Sequence, residues 1–148
     1  MHTDISMDFH DDEVERELER KKNLALKDVG LEAEGDAKIE IENDPRRVDT
    51  GRLRASITHV VEGDDVYIGT NVEYGKYVHE GTGIHAAEGG GRTTPWWFQG
   101  SDGEWHKTRG MKPNRFLRNA IEQNTDKYKD LPTAAISPPP YTLFLTLA

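Results

Sequence analysis

Apolar residues recur at intervals of four or seven through the first third of the chain: Val14, Leu18, Ala25, Val29, Ala33, Ala37 and Ile41. A single stripe at that spacing marks an amphipathic helix. Asp11 or Asp12 supplies its N-cap, and further acids fill the first turn, where the helix dipole favours them. The stripe keeps its phase across Gly30 and Gly35. Each glycine costs about 1 kcal/mol against alanine, so Gly30 is where a kink or break would fall, but one long helix to about Glu42 is predicted. Its second half is rich in alanine, so close packing is expected there. The spacing fits a core helix better than a coiled-coil partner.

Pro45 ends that helix, and Asp49 or Thr50 caps a short helical turn through Ser56. Ile57–Glu62 and Val66–Thr70 then read as strands joined by the turn Gly63-Asp64-Asp65. Val72–Glu80 returns to helical spacing, with Tyr74, Tyr77 and Val78 on one face and Gly81 as the stop. The stretch Thr82–Thr94, with Gly89-Gly90-Gly91, has no period and is predicted to be a mobile loop. Pro95–Gln99 and Glu104–Thr108 flank Gly100-Ser101-Asp102-Gly103 and form a second hairpin. Pro113 suits the first turn of a helix to about Lys129, with Phe116, Leu117, Ala120 and Ile121 facing in. Pro132 closes it. Three consecutive prolines, Pro138–Pro140, then make a stiff spacer before the apolar octet Tyr141–Ala148. The prediction is an α+β fold: a long N-terminal helix and a C-terminal helix packed on a small antiparallel sheet, with an extra Trp-rich hairpin and extended termini. It divides into an N-terminal arm at 1–10, one domain at 11–131 and a Pro-rich arm at 132–148.

Composition narrows the function. A chain of 148 residues with 34% apolar and 31% charged residues has a thin core and much polar surface. Its net charge of -8 argues against nonspecific nucleic-acid binding, which needs a basic face. There is no cysteine, hence no disulfide framework or thiolate metal site. The acidic start MHTDISMDFHDDE is not a secretory signal. The longest apolar run, Tyr141–Ala148, falls far short of the roughly 20 residues of a membrane span, so a soluble protein is expected.

No catalytic constellation emerges. His79, Glu80, His85 and Glu88 are metal-ligand types, but five residues separate the histidines and Gly81 and Gly83 break the helix between them, unlike the zinc motif H-E-x-x-H. Ser56, His59 and Asp64 are the types of a hydrolase triad without a nucleophile elbow. The glycine run lacks the lysine of a phosphate loop. No cofactor and no metal is expected.

The features left point to binding. Arg46, Arg47, Arg52 and Arg54 stand out against the acid background and suit pairing with Glu42, Asp44 or Asp49, with the acidic face of another copy or, least favoured, contact with DNA. Trp96, Trp97 and Trp105 share one hairpin, and adjacent strand residues face opposite ways, so Trp96 and Trp97 cannot both enter one core. The octet with Tyr141, Leu143, Phe144 and Leu145 either folds back or docks on another chain, where adding a strand to a sheet edge would use it.

Three segments, taken in order, carry a resemblance: Asp49-Thr50-Gly51-Arg52-Leu53 with Ser56; Gly69, Thr70, Tyr74, Tyr77, Val78, Glu80, Gly81 and Thr82; and Pro113, Phe116, Leu117 and Ala120. Over roughly residues 12–130 the chain resembles the minor tail-component, or tail-completion, family of long-tailed bacteriophages and related viruses. It departs from that pattern in placing Pro113 three residues before Phe116, in Asn119, and in the tryptophan hairpin and Pro-rich tail. The resemblance implies a non-enzymatic virion protein of the neck. Copies would form a homo-oligomeric ring of six or twelve that joins the portal-bearing head to the tail or completes the tail. Its neighbours would be head-completion and tail terminator or tail tube proteins, and genomic DNA would pass through an acidic lumen. Arg46, Arg47, Asp49, Arg52, Arg54 and Glu80 are the expected subunit interface. Trp96, Trp97, Trp105, Tyr141, Leu143, Phe144 and Leu145 are the expected contacts to adjoining proteins. Two rival readings are a free-standing peptide- or glycan-binding module using the Trp hairpin, and a small hydrolase or nuclease using His79, Glu80 and His85.

Overall fold

The computed structural model describes residues 11–44, 50–131 and 142–147. The expected N-terminal arm, the cap at Asp49, the arginines Arg46 and Arg47, Tyr141 and the proline spacer lie outside the described residues. The architecture is α+β. Helix α1 (Asp11–Glu42) is followed by α2 (Thr50–Ser56), strands β1 (Thr58–Glu62) and β2 (Asp65–Thr70), and helix α3 (Glu73–Glu80). A 3-10 turn at Gly83–His85, the hairpin β3 (Trp96–Gln99) and β4 (Trp105–Thr108), helix α4 (Phe116–Lys129) and strand β5 (Thr142–Leu147) complete it.

At 1.5 Å per residue α1 is a rod about 48 Å long, continuous through Gly30 and Gly35. From Ala25 onward the predicted stripe is buried: Ala25, Val29, Ala33, Ala37 and Ile41, joined by Leu26. The first half of the same stripe is not, with Val14 59% and Leu18 58% exposed. Toward its N-terminus the helix passes the β1–β2 turn at the Lys22–Asp64 ion pair, and beyond it Val14 and Leu18 stay open to solvent. Small side chains explain the packing of its second half. Ala33 and Ala37 let α4 approach, and Phe116, Leu117 and Ala120 close the seam with no exposure.

Gly30 marks a close approach. A Cβ there would come 2.5 Å from Cδ2 of His59 on β1. That imidazole is held by a 2.7 Å hydrogen bond from Nδ1 to Glu34 on the next turn of α1. Alanine gains about 1 kcal/mol of helix propensity but must push the ring off Glu34, so Gly30→Ala is expected to cost about 1 kcal/mol net. In a His59→Ala background the sign should reverse. Urea unfolding of the four chains checks this, and a stabilising Gly30→Ala in the parent would refute it.

The sheet has the order β1-β2-β5. β1 and β2 pair antiparallel, from Thr58↔Gly69 to Glu62↔Asp65, as the turn predicted. β5 adds parallel to β2, with Val66↔Leu143, Tyr67↔Phe144 and Ile68↔Leu145, so the sheet is mixed rather than purely antiparallel. Parallel neighbours need a long crossover, and the chain between β2 and β5 provides it. Within a single chain the stretch Thr142–Leu147 therefore folds back onto β2. Val66, Ile68 and Thr70 of β2 are buried toward α1, while Val60 and Tyr67 line a shallow cavity of about 420 Å³ on the outer face.

Two helices differ from expectation. In α3 the inward residues are Gly75, Val78 and His79, whereas Tyr77 is exposed; the short helix turns its histidine edge to Phe116 instead. α4 begins at Phe116, three residues after Pro113. The residues before it are tied to α3, with Asn114 N–H donating to the Val78 carbonyl at 2.8 Å. Far along α4, the buried Tyr128 places its hydroxyl 2.8 Å from Asp36 of α1, and Lys127 reaches the same carboxylate at 2.9 Å and Glu32 at 2.8 Å. Burial first, then Asp36, pushes the Tyr128 phenol above its ordinary range.

Candidate functional site

The three sequence segments converge on one junction. α2 brings Leu53 into the core and turns Ser56 so that its hydroxyl donates to the Leu53 carbonyl at 2.7 Å. Ser56 also meets Thr70 at the end of β2, and Thr70 Oγ1 accepts the Val72 N–H at 3.1 Å, starting α3. Gly75 is needed where α3 crosses this pair, because a Cβ there would lie 2.7 Å from Thr70 Cγ2 and 3.0 Å from Leu53 Cδ1. The first segment is thus locked to the second by a two-hydroxyl bridge under a glycine.

The second segment is locked to the third by backbone. Gly81 has φ +77 and stops α3, its N–H donating to the Tyr77 carbonyl. A Cβ on it would meet Met111 O at 2.9 Å and Pro113 Cδ at 2.9 Å. Thr82 then bonds Met111 in both directions: its N–H donates to Met111 O, and its Oγ1 accepts the Met111 N–H, each at 2.9 Å. Ile84 N–H donates to Arg109 O at 3.0 Å. This clamp carries the Trp hairpin and leads into α4. It also corrects the expectation of a mobile loop at Thr82–Thr94: Gly83, Gly91 and Gly110 let backbone approach backbone, and Ala87 N–H returns to Glu80 O at 2.8 Å. Backbone pairing of this kind has no side-chain period to announce it.

His79 and Glu80 sit inside this clamp. His79 is buried, its Nδ1 2.8 Å from Glu80 Oε1 and its ring edge-on to Phe116 at 5.3 Å. With the Nδ1 proton donated to Glu80, Nε2 is buried without a partner among the described residues. Burial lowers the imidazole pKa below its ordinary value, Glu80 opposing and Arg118 and Arg115 assisting. Protonation would add a charge and an N–H with no acceptor. The folded pKa lies below the unfolded one, so the neutral ring's contribution is present above pH 6.5 and is lost as pH falls through the folded value. Wild type should lose urea resistance between pH 7.5 and 5.5, and His79→Phe should lose much less over that window. Equal losses would rule out His79 as the cause.

The remaining predicted residues are scattered. Arg54 pairs with Glu42 at 3.0 Å, tying α2 to the end of α1 within the chain. Arg52 is exposed and makes no ion pair among the described residues. Ser56, His59 and Asp64 are each engaged elsewhere, with Thr70, Glu34 and Lys22. Among the described residues no group of three or more His, Asp or Glu side chains is placed to hold a metal ion, and no helix is long and apolar enough to cross a membrane. A cleft of about 550 Å³ lies between the end of α1 and the start of α4 and is lined by Glu40, Asn43, Asp44, Lys112, Asn114 and Arg115. Asn114 donates to Asp44 there at 2.8 Å.

The Trp hairpin stands apart as its own two-stranded sheet. Its register, Trp97↔Lys107 and Gln99↔Trp105, puts Trp97, Trp105 and Lys107 on one face. Trp96, Phe98 and His106 share the other, so Trp96 and Trp97 do face opposite ways. Trp97 is 60% and Trp105 63% exposed, with the Lys107 ammonium 5.9 Å from the Trp97 ring. Trp96 is half-buried under Arg92, 5.5 Å from its ring. A two-stranded ribbon with large aromatics open to water is marginal alone. Sequence reasoning found this surface; it missed Asp36, Tyr128 and the Gly83–Arg109 contact. Comparison with protein families, with curated proteins and with solved structures finds no match to this chain.

Proposed function

We propose that this protein is a non-enzymatic subunit of a viral neck, assembling as a ring of six or twelve copies that joins head to tail or completes the tail. One observation carries the reading beyond the sequence resemblance: the folded chain leaves large apolar side chains uncovered at separate places. These are Val14 and Leu18 on α1, Val60 on the outer sheet face, and Trp97 and Trp105 on the hairpin. Val14 and Leu18 lie one turn apart, and Trp97 and Trp105 share one hairpin face. Each pair is a contiguous apolar surface of the kind that marks an interaction site, as a subunit covered by neighbours would carry. The ordered segments at 50–56, 69–82 and 113–120 serve, on this reading, to brace the junction from which those surfaces project. Arg52, exposed beside it, would pair on this reading with the acidic flank of the next copy.

Analytical ultracentrifugation and negative-stain microscopy of the purified chain test the ring, and lysates of the parent virus lacking the gene test its place. Separate filled heads and tails support joining; abnormal tail lengths move the role to tail termination; normal particles exclude the neck. The exposed Trp97–Trp105 face favours one second reading, a monomeric peptide- or glycan-binding module. A stable monomer whose tryptophan fluorescence responds to a soluble peptide or sugar would replace the ring with it.

A further inference from the structure

Two of the uncovered surfaces are complementary to each other and lie at opposite ends of the molecule. The first is the free half of α1, where Val14 and Leu18, one turn apart, form an apolar ridge. Residues 11–22 around it contain six acids, Asp11, Asp12, Glu13, Glu15, Glu17 and Glu19, against Arg16, Arg20, Lys21 and Lys22. Glu17 is bound to Arg20 at 2.7 Å and Glu19 to Lys22 at 2.9 Å, so the acidic excess lies in the first turns, Asp11–Glu15. The second is the hairpin face with Trp97, Trp105 and Lys107. Lys107 lies on that face and Arg109 follows it in the chain, against Asp102 and Glu104 near the turn; Arg92 stacks instead on Trp96 of the opposite face. Asp102 is already bound to His106 at 3.0 Å. One surface is apolar with an acidic margin, the other aromatic with a basic one.

The two cannot meet within one chain. Lys112–Asn114, at the base of the hairpin, lies beside Asp44 at the C-terminal end of α1. Leu18 is about 39 Å away along the helix axis at 1.5 Å per residue. β4, which spans Trp105–Thr108, is only about 14 Å long.

We infer that the free end of α1 in one copy docks on the Trp97–Trp105 face of the next copy, with Val14 and Leu18 seated on the two indoles and the acids of the helix facing Lys107 and Arg109. This rests on the ring reading and names its contact. The surfaces differ, so the contact is head-to-tail, the type that closes a ring rather than a two-fold dimer. Pairing of two α1 ends with each other would instead bring two strongly acidic segments together. Two tryptophans facing an aliphatic ridge also supply the anchor type that dominates interface energy.

The cysteine-free chain permits a direct test. Full-length Glu13→Cys and Glu104→Cys chains, each altered at an exposed position beside its surface, are expressed separately and together and treated with a short bis-maleimide. The co-expressed pair should give a cross-linked dimer that neither gives alone. Adding Trp97→Ala and Trp105→Ala to the Glu104→Cys chain should weaken the association about tenfold or more. Lys107→Glu, a surface change, should weaken it too. Cross-linking of Glu13→Cys alone means that helix ends pair, and cross-linking of Glu104→Cys alone means that hairpins pair; either overturns the contact. An unaltered chain that sediments as an oligomer while the pair fails to cross-link overturns it and leaves the ring standing. An unaltered chain that sediments only as a monomer removes the ring reading, and the contact with it.

Discussion

Gly83→Ala should cost about 3 kcal/mol or more, a large effect for a single methyl group. Two penalties add. Gly83 has φ +60, where a side chain clashes with its own backbone. The added methyl would also overlap the Arg109 carbonyl oxygen and sit 2.8 Å from the Arg109 carbonyl carbon and Gly110 Cα. Backbone cannot swing aside as a side-chain tip can, so the segment at 109–111 must leave the clamp. Thr82 and Ile84 then lose their partners Met111 and Arg109. Gly89 is the control: it has φ +72 but open space around its Cβ position. Alanine there should cost only about 1–2 kcal/mol from conformation alone. Urea midpoints for the two variants decide the matter. Similar costs would mean that the clamp contributes nothing beyond glycine's backbone freedom. Because the hairpin springs from this clamp, Gly83→Ala should also abolish head-to-tail cross-linking before the chain is fully unfolded.

What the sequence could show follows from the range over which each signal acts. The phase of α1, the β1–β2 turn, the faces of Trp96 and Trp97 and the inward side of α4 are set by neighbours within a few residues, and a period or a turn residue reveals them. Coverage is different. Val14 and Leu18 are in phase with Val29 and Ala33, yet only the latter find α4 opposite. The glycines show the same division. Gly30 reads from sequence as a cost to the helix and proves to be the space into which His59 fits, twenty-nine residues later. Gly81 is legible as a helix stop, but its approach to Met111 and Pro113 is not. Pro113 reads as a helix opener, and the chain uses it to pack on Gly81 while α4 waits until Phe116. Backbone-to-backbone pairing at Thr82–Met111 and the parallel register of β5 on β2 leave no local trace at all. As for the candidate surfaces, the hairpin was legible because tryptophan alternation is local. The free helix end was not, since exposure depends on what the rest of the chain fails to cover.

The Asp36–Tyr128 pair is the second large test, and it bears on how rigidly α1 is held. The two residues are ninety-two positions apart and both are buried, Asp36 at 8% exposure and Tyr128 at none. Asp36→Ala removes the acceptor for a buried hydroxyl and one of two carboxylates on Lys127. The phenol can fall back on the Ala120 carbonyl at 3.1 Å, and half-exposed Lys127 keeps Glu32, so the loss should be about 2–3 kcal/mol rather than that of a stranded charge. Tyr128→Phe keeps the ring packed and Asp36 bound to Lys127, and should cost about 1 kcal/mol. In the Tyr128→Phe background, Asp36→Ala should cost about 1 kcal/mol less than in the parent, because the hydroxyl it would have stranded is gone. Equal costs in both backgrounds would show that the hydrogen bond carries no energy and that Asp36 acts through Lys127 alone. The pair fastens α4 across the C-terminal third of α1, well behind the uncovered turns at Val14 and Leu18. If those turns are to reach a neighbouring subunit at a fixed angle, the bracing must come from there: loosening Asp36 should weaken head-to-tail cross-linking even where the chain remains folded.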